Sequence, residues 1–360
     1  MKIRHLTVRN FRGLTEQSVD FTDADGKVRP LTVIVGPNRS GKTTLLDAIH
    51  IAQAVSTSPT TPTFRPGFDA ADPRLRPKPN RSITVQIDFE LEAADEPAAI
   101  DEVARMFPTR VLPVQPRQTL TIDWPPPSAT LASSGTALPG EEDDSEAART
   151  AFAARARAHE GIARRLIERA ILDRIGGVLY LDQNRHFPTS IPLAQTASDL
   201  QLAQAAAAGD ILPWIELQAR LDVRWDPATK GPSGWTRLRD LFARLARPSV
   251  IDDMEPFPEG YDLRFRDTRT DRTYYLAGTS SGERMMLRLA ASLTAFGHRR
   301  SVVLIDEIEL HLHPRWQRNL LHFCQHGADG DTQFIVTTHS DTFLHYVDPG
   351  AIVSLGDLDT

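Results

Sequence analysis

Residues 31–43 read LTVIVGPNRSGKT, and this stretch constrains the fold more than any other part of the chain. LTVIV is a short, continuous, β-branched run, the pattern of a strand buried on both faces. It passes directly into GPNRSGKT and then into TLLDAIHIA, whose apolar spacing is helical. Strand, glycine loop and helix in this order satisfy G-x-x-x-x-G-K-[ST] at every fixed position, Gly36, Gly41, Lys42 and Thr43. Glycines let main-chain N–H groups turn inward around a polyphosphate, and the following helix presents its positive end. Lys42 places a cation beside the β and γ phosphates, and the Thr43 hydroxyl can hold Mg²⁺. Lysine occurs elsewhere only at Lys2, Lys27, Lys78 and Lys230, so its position inside this loop stands out.

Two later strands end in chemistry. SVVLIDEIELHLHP (301–314) is an apolar run closing on Asp306 and Glu307. A carboxylate there can orient a Mg²⁺ shell (Asp306) while its neighbour polarises an attacking water (Glu307). Alone, the acidic pair also reads as a solvated strand end; a phosphate loop upstream favours the catalytic reading. FIVTTHS (334–340) ends a third apolar strand in His339, where α/β sheets bind ligands, and a hydrogen bond from His339 to the γ phosphate or the attacking water is one reading. A purely structural histidine is the other.

GTSSGERMMLRLA (278–290) is open to two compatible readings. Ser280 and Glu283 ahead of Met286, Leu287 and Leu289 form a capping box, and the same helix start can present an anion site.

The chain has 360 residues, 41% of them hydrophobic, enough for a proper core in one large domain or two smaller ones. No apolar run approaches the roughly 20 residues of a membrane span, and the N-terminus carries scattered charge, so neither membrane insertion nor secretion is expected. The single Cys324 excludes a disulfide framework or a cysteine zinc site and fits a cytoplasmic location. His311 and His313 lack a third ligand, which argues against a metal site. A formal charge of −6 argues against a coat of nucleic acid but allows a local basic face. Two antiparallel strands are expected before residue 22, a surface loop over 56–82, a strand over 83–91 and a flexible acidic insertion over 124–148. Helices are expected over 149–175, 200–208 and 211–221, with a strand over 177–181 and a hairpin from 262–265 and 273–276. The arginines of 149–174 read either as a solvated face or as a contact for DNA phosphates.

Taken in order, the phosphate loop, Ser-Ser-Gly-Glu, the Asp-Glu strand and the histidine resemble the ATP-binding-cassette ATPases. KIRHLTVRNFRGL and IDEIELHLHP are most similar to the RecF, SMC and OLD-like branch, across 1–54 and 262–353. The separation of Lys42 from Ser280 exceeds that of a compact transporter cassette. The resemblance implies an α/β fold, a P-loop NTPase with an ABC-type head made of a mixed-sheet core, an antiparallel β subdomain and a helical insertion subdomain. The expected divisions are an N-terminal lobe (1–123), the flexible insertion (124–148), the helical subdomain (149–261) and a C-terminal ATPase lobe (262–360).

It further implies that Gly36, Asn38, Ser40, Gly41, Lys42, Thr43 and Thr44 bind the phosphates of ATP and its Mg²⁺. Asp306 would serve the metal, Glu307 would be the catalytic base and His339 would sense the γ phosphate. Ser280 and Gly282 would contact ATP held by a second protomer, making a head-to-tail homodimer. Arg12 would lie near the nucleotide, an exposed strand-end arginine being the alternative. Gln183 would be the metal-side glutamine, an ordinary polar turn being the alternative. Thr279 and Ser281 depart from the transporter signature, and His313 stands where many cassettes carry an aspartate. The implied roles are a DNA-repair clamp, or an ATPase in defence against phage beside a separate nuclease; an ATP-gated scaffold that restrains a toxic partner without DNA is a further alternative.

Overall fold

In the computed structural model, which describes residues 2–57, 76, 78, 80–90, 117–124, 128–133, 178–181, 191–192, 211–257, 260–295, 302–310, 312–327 and 332–356, the chain opens with an antiparallel hairpin. Its strands are β1 (Lys2–Phe11) and β2 (Leu14–Asp20), followed by β3 (Leu31–Val35) and α1 (Lys42–Thr57). Next come β4 (Ile83–Glu90), β5 (Arg117–Trp124), β6 (Ser128–Ser133), β7 (Val178–Leu181) and β8 (Ile191–Pro192). The helices α2 (Ile211–Asp222), α3 (Pro227–Lys230) and α4 (Gly234–Leu245) lead into β9 (Ser249–Phe257), β10 (Gly260–Asp267) and β11 (Thr273–Tyr275). The chain then forms α5 (Ser281–Ala295), β12 (Val302–Ile305), α6 (Pro314–His322), β13 (Gln333–Thr337), α7 (Asp341–Leu344) and β14 (Ile352–Ser354).

The sheet that matters for the site runs β14-β3-β13-β12-β7, and every pair in it is parallel. Its three central strands, β3, β13 and β12, are buried along their whole length because both faces are covered. Ile34, Val302, Leu304 and Ile335 pack with Leu45, Leu46 and Ile49 of α1. The alternate residues Val33, Val303, Ile305, Phe334 and Val336 pack with Met286, Leu289 and Leu293 of α5 and with Leu238 and Phe242 of α4. Helices α1 and α5 thus lie on opposite faces of one sheet.

A second sheet, β2-β1-β4-β5-β6, is antiparallel throughout and closes over the outer side of α1 through Leu6, Val8, Phe11, Val85 and Ile87. Because α1 is sandwiched between two sheets, its leucines and isoleucines are at most 1% exposed. Each contributes about 1.5–3 kcal/mol relative to an exposed side chain. The two sheets are also joined by a side chain: the Gln333 amide donates to the Ile3 carbonyl (2.8 Å) and accepts from Ile3 N–H (2.7 Å) in the buried interior.

The hairpin expected from 262–265 and 273–276 forms as β10 and β11, with Phe265 opposite Tyr274. Strand β9, which lies in the region expected to be helical, pairs along the whole of β10. The expected insertion 124–148 requires a correction. Ser128–Ser133 is not a loose segment but an edge strand, paired with β5 from Asp123↔Ser128 to Gln118↔Ser133. The proline-, serine- and acid-rich residues on either side hid it, since an edge strand is held by its ladder as much as by buried side chains. The expected helices over 149–175 and 200–208 lie outside the described residues.

Candidate active site

Parallel strands β3, β13 and β12 are neighbours, and the segments leaving their C-terminal ends carry the phosphate loop, His339 and the Asp306-Glu307 pair. This is the edge at which open α/β sheets receive ligands.

The loop between β3 and α1 is built as the sequence requires. Gly41 has φ +99, and a Cβ there would meet Leu14 Cδ2 at 2.8 Å; one on Gly36 would meet the Leu355 carbonyl at 2.5 Å. Asn38 is exposed, Ser40 and Gly41 are half-buried, and Lys42 and Thr44 are buried at the first turn of α1. Lys42 Nζ donates to the carbonyls of Gly36 (2.7 Å) and Pro37 (3.0 Å), arching over the loop. Burial lowers its pKa, against the opposing pull of Asp306, Glu307 and Glu309. The negative charges of these three carboxylates thus favour the ammonium form.

Asp306 is 1% exposed and is reached from the first turn of helix α1 and from the end of strand β13. Thr43 Oγ1 donates to it (3.0 and 3.2 Å to the two oxygens), and Thr337 Oγ1 donates to Oδ1 (2.6 Å). A carboxylate beside a hydroxyl at a phosphate-loop helix start is a set of hard oxygen donors, and it fits Mg²⁺. Glu307 sits at φ +50, the left-handed region, which is uncommon for a side chain of this size and concentrates at functional sites. Its Oε1 lies 4.0 Å from His339 Nε2. His339 is exposed, but its N–H donates to Glu309 Oε1 (2.7 Å) while Thr338 Oγ1 donates to Glu309 Oε2 (2.8 Å).

Arg12, at φ +49, forms an ion pair with the fully buried Asp47 (2.7 Å), one helical turn beyond Thr43 on α1. Gln183 lies outside the described residues. Ser280 and Gly282 are not joined to this cluster by any hydrogen bond among the described residues. Ser280 Oγ accepts from Glu283 N–H (3.2 Å), and Glu283 Oε2 accepts from Ser280 N–H (2.8 Å), a reciprocal capping box. Glu283 Oε1 is covered by hydroxyls of Ser249 (2.5 Å) and Tyr274. Burial opposes ionisation of Glu283, yet its hydrogen bonds from Ser249, Tyr274 and Ser280 together hold its pKa below the ordinary value. Thr279 is buried and turns its hydroxyl inward to the Leu276 carbonyl (2.6 Å), leaving Ser280 and Ser281 exposed. His313 caps α6, its Nδ1 accepting from Arg315 N–H (3.2 Å).

Sequence reading missed Thr337, Glu309 and Asp47. Glu309 and the paired threonines stand beside recognised motifs, but nothing in a linear pattern says which hydroxyl meets which carboxylate.

The family described as "AAA domain, putative AbiEii toxin, Type IV TA system" matches residues 31–345, and a further AAA domain family matches 1–52. The chain belongs to the first of these families. As an AAA domain of this kind it has similar stretches in the Retron Ec83 probable ATPase of Escherichia coli (51% identical over 47 residues) and the Retron Vc95 probable ATPase of Vibrio cholerae serotype O1 biovar El Tor (31% over 107 residues). These stretches cover 13% and 30% of the chain but only 8% and 21% of those proteins. The Septu protein PtuA of Bacillus thuringiensis is 36% identical over 55 residues, 15% of the chain and 14% of PtuA. Among solved structures, the Smc head bound to the C-winged helix domain of ScpA aligns with a TM-score of 0.54 at 15% identity, covering 98% of this chain and 94% of that one. The AAA domain therefore has the P-loop fold of the SMC-like, ABC-type heads that its motifs resemble. No helix among its described residues is long and apolar enough to cross a membrane.

Proposed function

We propose that this AAA domain is an ATP-driven switch: it hydrolyses ATP slowly, closes head-to-tail with a second copy around two nucleotides, and controls a separate effector in anti-phage defence. The observation that carries the ATPase reading is the convergence of Lys42, Thr43, Asp306, Glu307 and His339 at one edge of the parallel sheet. Gly36, Asn38, Ser40, Gly41 and Thr44 form the cradle, with Lys42 and the start of α1 countering phosphate charge. Thr43 and Asp306 would hold Mg²⁺, which would supply charge neutralisation at the phosphates. Glu307 orients and deprotonates the attacking water, and His339, facing it, donates toward the transferring phosphoryl group.

The dimer reading is supported by the arrangement of α5. It packs on the sheet face opposite α1 and starts with exposed Ser280 and Ser281, so a second copy is a natural source of the phosphate for that helix start. The names of the retron and Septu relatives favour a defence role over a RecF-like repair clamp. In this reading ATP favours the closed pair by its differential affinity, and hydrolysis removes that bias. Arg12 and Gln183 stand as further nucleotide-side and metal-side candidates.

The test is E307Q. It is expected to keep ATP affinity, slow hydrolysis by about 10²–10⁴ and accumulate a nucleotide-dependent dimer by light scattering. Hydrolysis at the wild-type rate removes Glu307 from the role of base. Ser280→Arg should abolish ATP-dependent pairing while sparing ATP binding to the monomer; loss of monomer binding would place Ser280 in its own chain's site. Duplex DNA added at low and high salt separates direct DNA action from effector control, because phosphate-mediated stimulation falls steeply with salt.

A further inference from the structure

We propose that Thr337, the last residue of β13, is a positioning residue that couples the metal-side carboxylate to the catalytic base through one hydroxyl. This rests on the reading of Asp306 and Glu307 given above and adds a residue that no sequence motif singles out. Thr337 is 0% exposed and shares a strand face with Ile335, the face turned toward α1. In the apolar run FIVTTHS a valine would suit that environment, so the hydroxyl needs partners to be tolerated there.

It has two. A threonine hydroxyl carries a single proton, and Thr337 gives it to Asp306 Oδ1 at 2.6 Å. Its lone pair is then free to accept from Glu307 N–H at 2.8 Å. The carbonyl of the same residue accepts the next amide, Ile308 N–H, at 3.0 Å. Thr337 therefore holds two successive amides of the turn that carries the base, one through its side chain and one through its main chain. That turn is where Glu307 adopts φ +50, a conformation that persists only when its surroundings fix it. The carboxylate that Thr337 grips on one side is the one Thr43 grips on the other. Displacement of Asp306 and of the Glu307 backbone are thus linked, and the link runs across the two parallel strands, thirty residues apart in sequence.

The experiment compares T337V, T337S and E307Q in the full chain. T337V keeps size, branching and the main-chain bond to Ile308 but loses both bonds of the hydroxyl. It is expected to lower kcat about 10- to 100-fold, with the affinity for a fluorescent ATP analogue, measured with and without Mg²⁺, changed less than about threefold because the loop is untouched. Hydrogen exchange at residues 306–309 is expected to quicken in T337V. T337S restores the hydroxyl and is expected to return kcat and exchange to within about threefold of wild type. If T337V does not fold, T337A is read in the same way. Normal turnover or normal exchange in the folded variant, or equal losses in T337V and T337S, overturns the proposal. Normal turnover in E307Q would instead overturn the reading beneath it, so the two failures are distinguishable.

Discussion

Gly41 shows how much one residue can be required to do. Its φ of +99 is costly for any L side chain, and the 2.8 Å approach of Leu14 Cδ2 leaves no room for a Cβ. G41A is therefore expected to weaken ATP binding more than tenfold and to lower stability by about 1–3 kcal/mol, read by nucleotide titration and urea unfolding. A variant with unchanged affinity would mean that the loop can reshape around the methyl group. The glycine was legible in the sequence as part of a phosphate cradle, but the second reason for it, a leucine from the β1–β2 hairpin lying against the loop, was not. The same holds at Asp306, which was readable as a carboxylate at a strand end. Its burial under Thr43 and Thr337 depends on which strands become neighbours, and the chain order β3, β12, β13 does not give the sheet order β3-β13-β12.

At the scale of an element, the sequence predicts α5 as a helix with a capping box, and Ser280 and Glu283 form one. The spacing did not reveal that the other oxygen of Glu283 is buried under Ser249 of β9 and Tyr274 of β11, which ties the start of α5 to the antiparallel β9-β10-β11 arrangement. This has a pH consequence. The folded pKa of Glu283 lies below its ordinary value of 4.5, so its stabilisation is complete above about that pH and is lost as pH falls through the lowered folded value. E283Q cannot ionise and is expected to be less stable than wild type by about 1–3 kcal/mol at pH 7, with the difference shrinking below pH 4.5. Urea unfolding across that range checks this, and a difference that grew on acidification would contradict the assignment. Strand β6 is the opposite case: SATLAS lies in a stretch whose overall composition reads as an insertion, and its identity as a strand came from pairing with β5.

Over the whole molecule, α1 is the shared centre, with the antiparallel sheet on one side and the parallel sheet on the other. Gln333 bridges these sheets directly by satisfying both main-chain groups of Ile3. Gln333→Leu would leave a buried N–H and C=O without partners, and a loss of about 2–4 kcal/mol is expected, measured by thermal or denaturant unfolding. A neutral result would show that β1 shifts to find other partners. The opposed placement of α1 and α5 belongs to this scale too. It separates the phosphate loop from the start of α5 by a sheet, and in the proposed dimer a second copy supplies the phosphate for Ser280.

By itself the sequence determined the strand-loop-helix around Lys42, the apolar strands before Asp306 and His339, and the helix start at Ser280. Each is a local pattern whose chemistry is written into adjacent residues and a short period. Only the tertiary structure decided that β13 lies between β3 and β12, that Thr337 shares its hydroxyl between Asp306 and Glu307, and that Glu309 fixes the backbone of His339. Those contacts join residues far apart in the chain, and they arise from packing both faces of the parallel sheet, which no spacing along the sequence records.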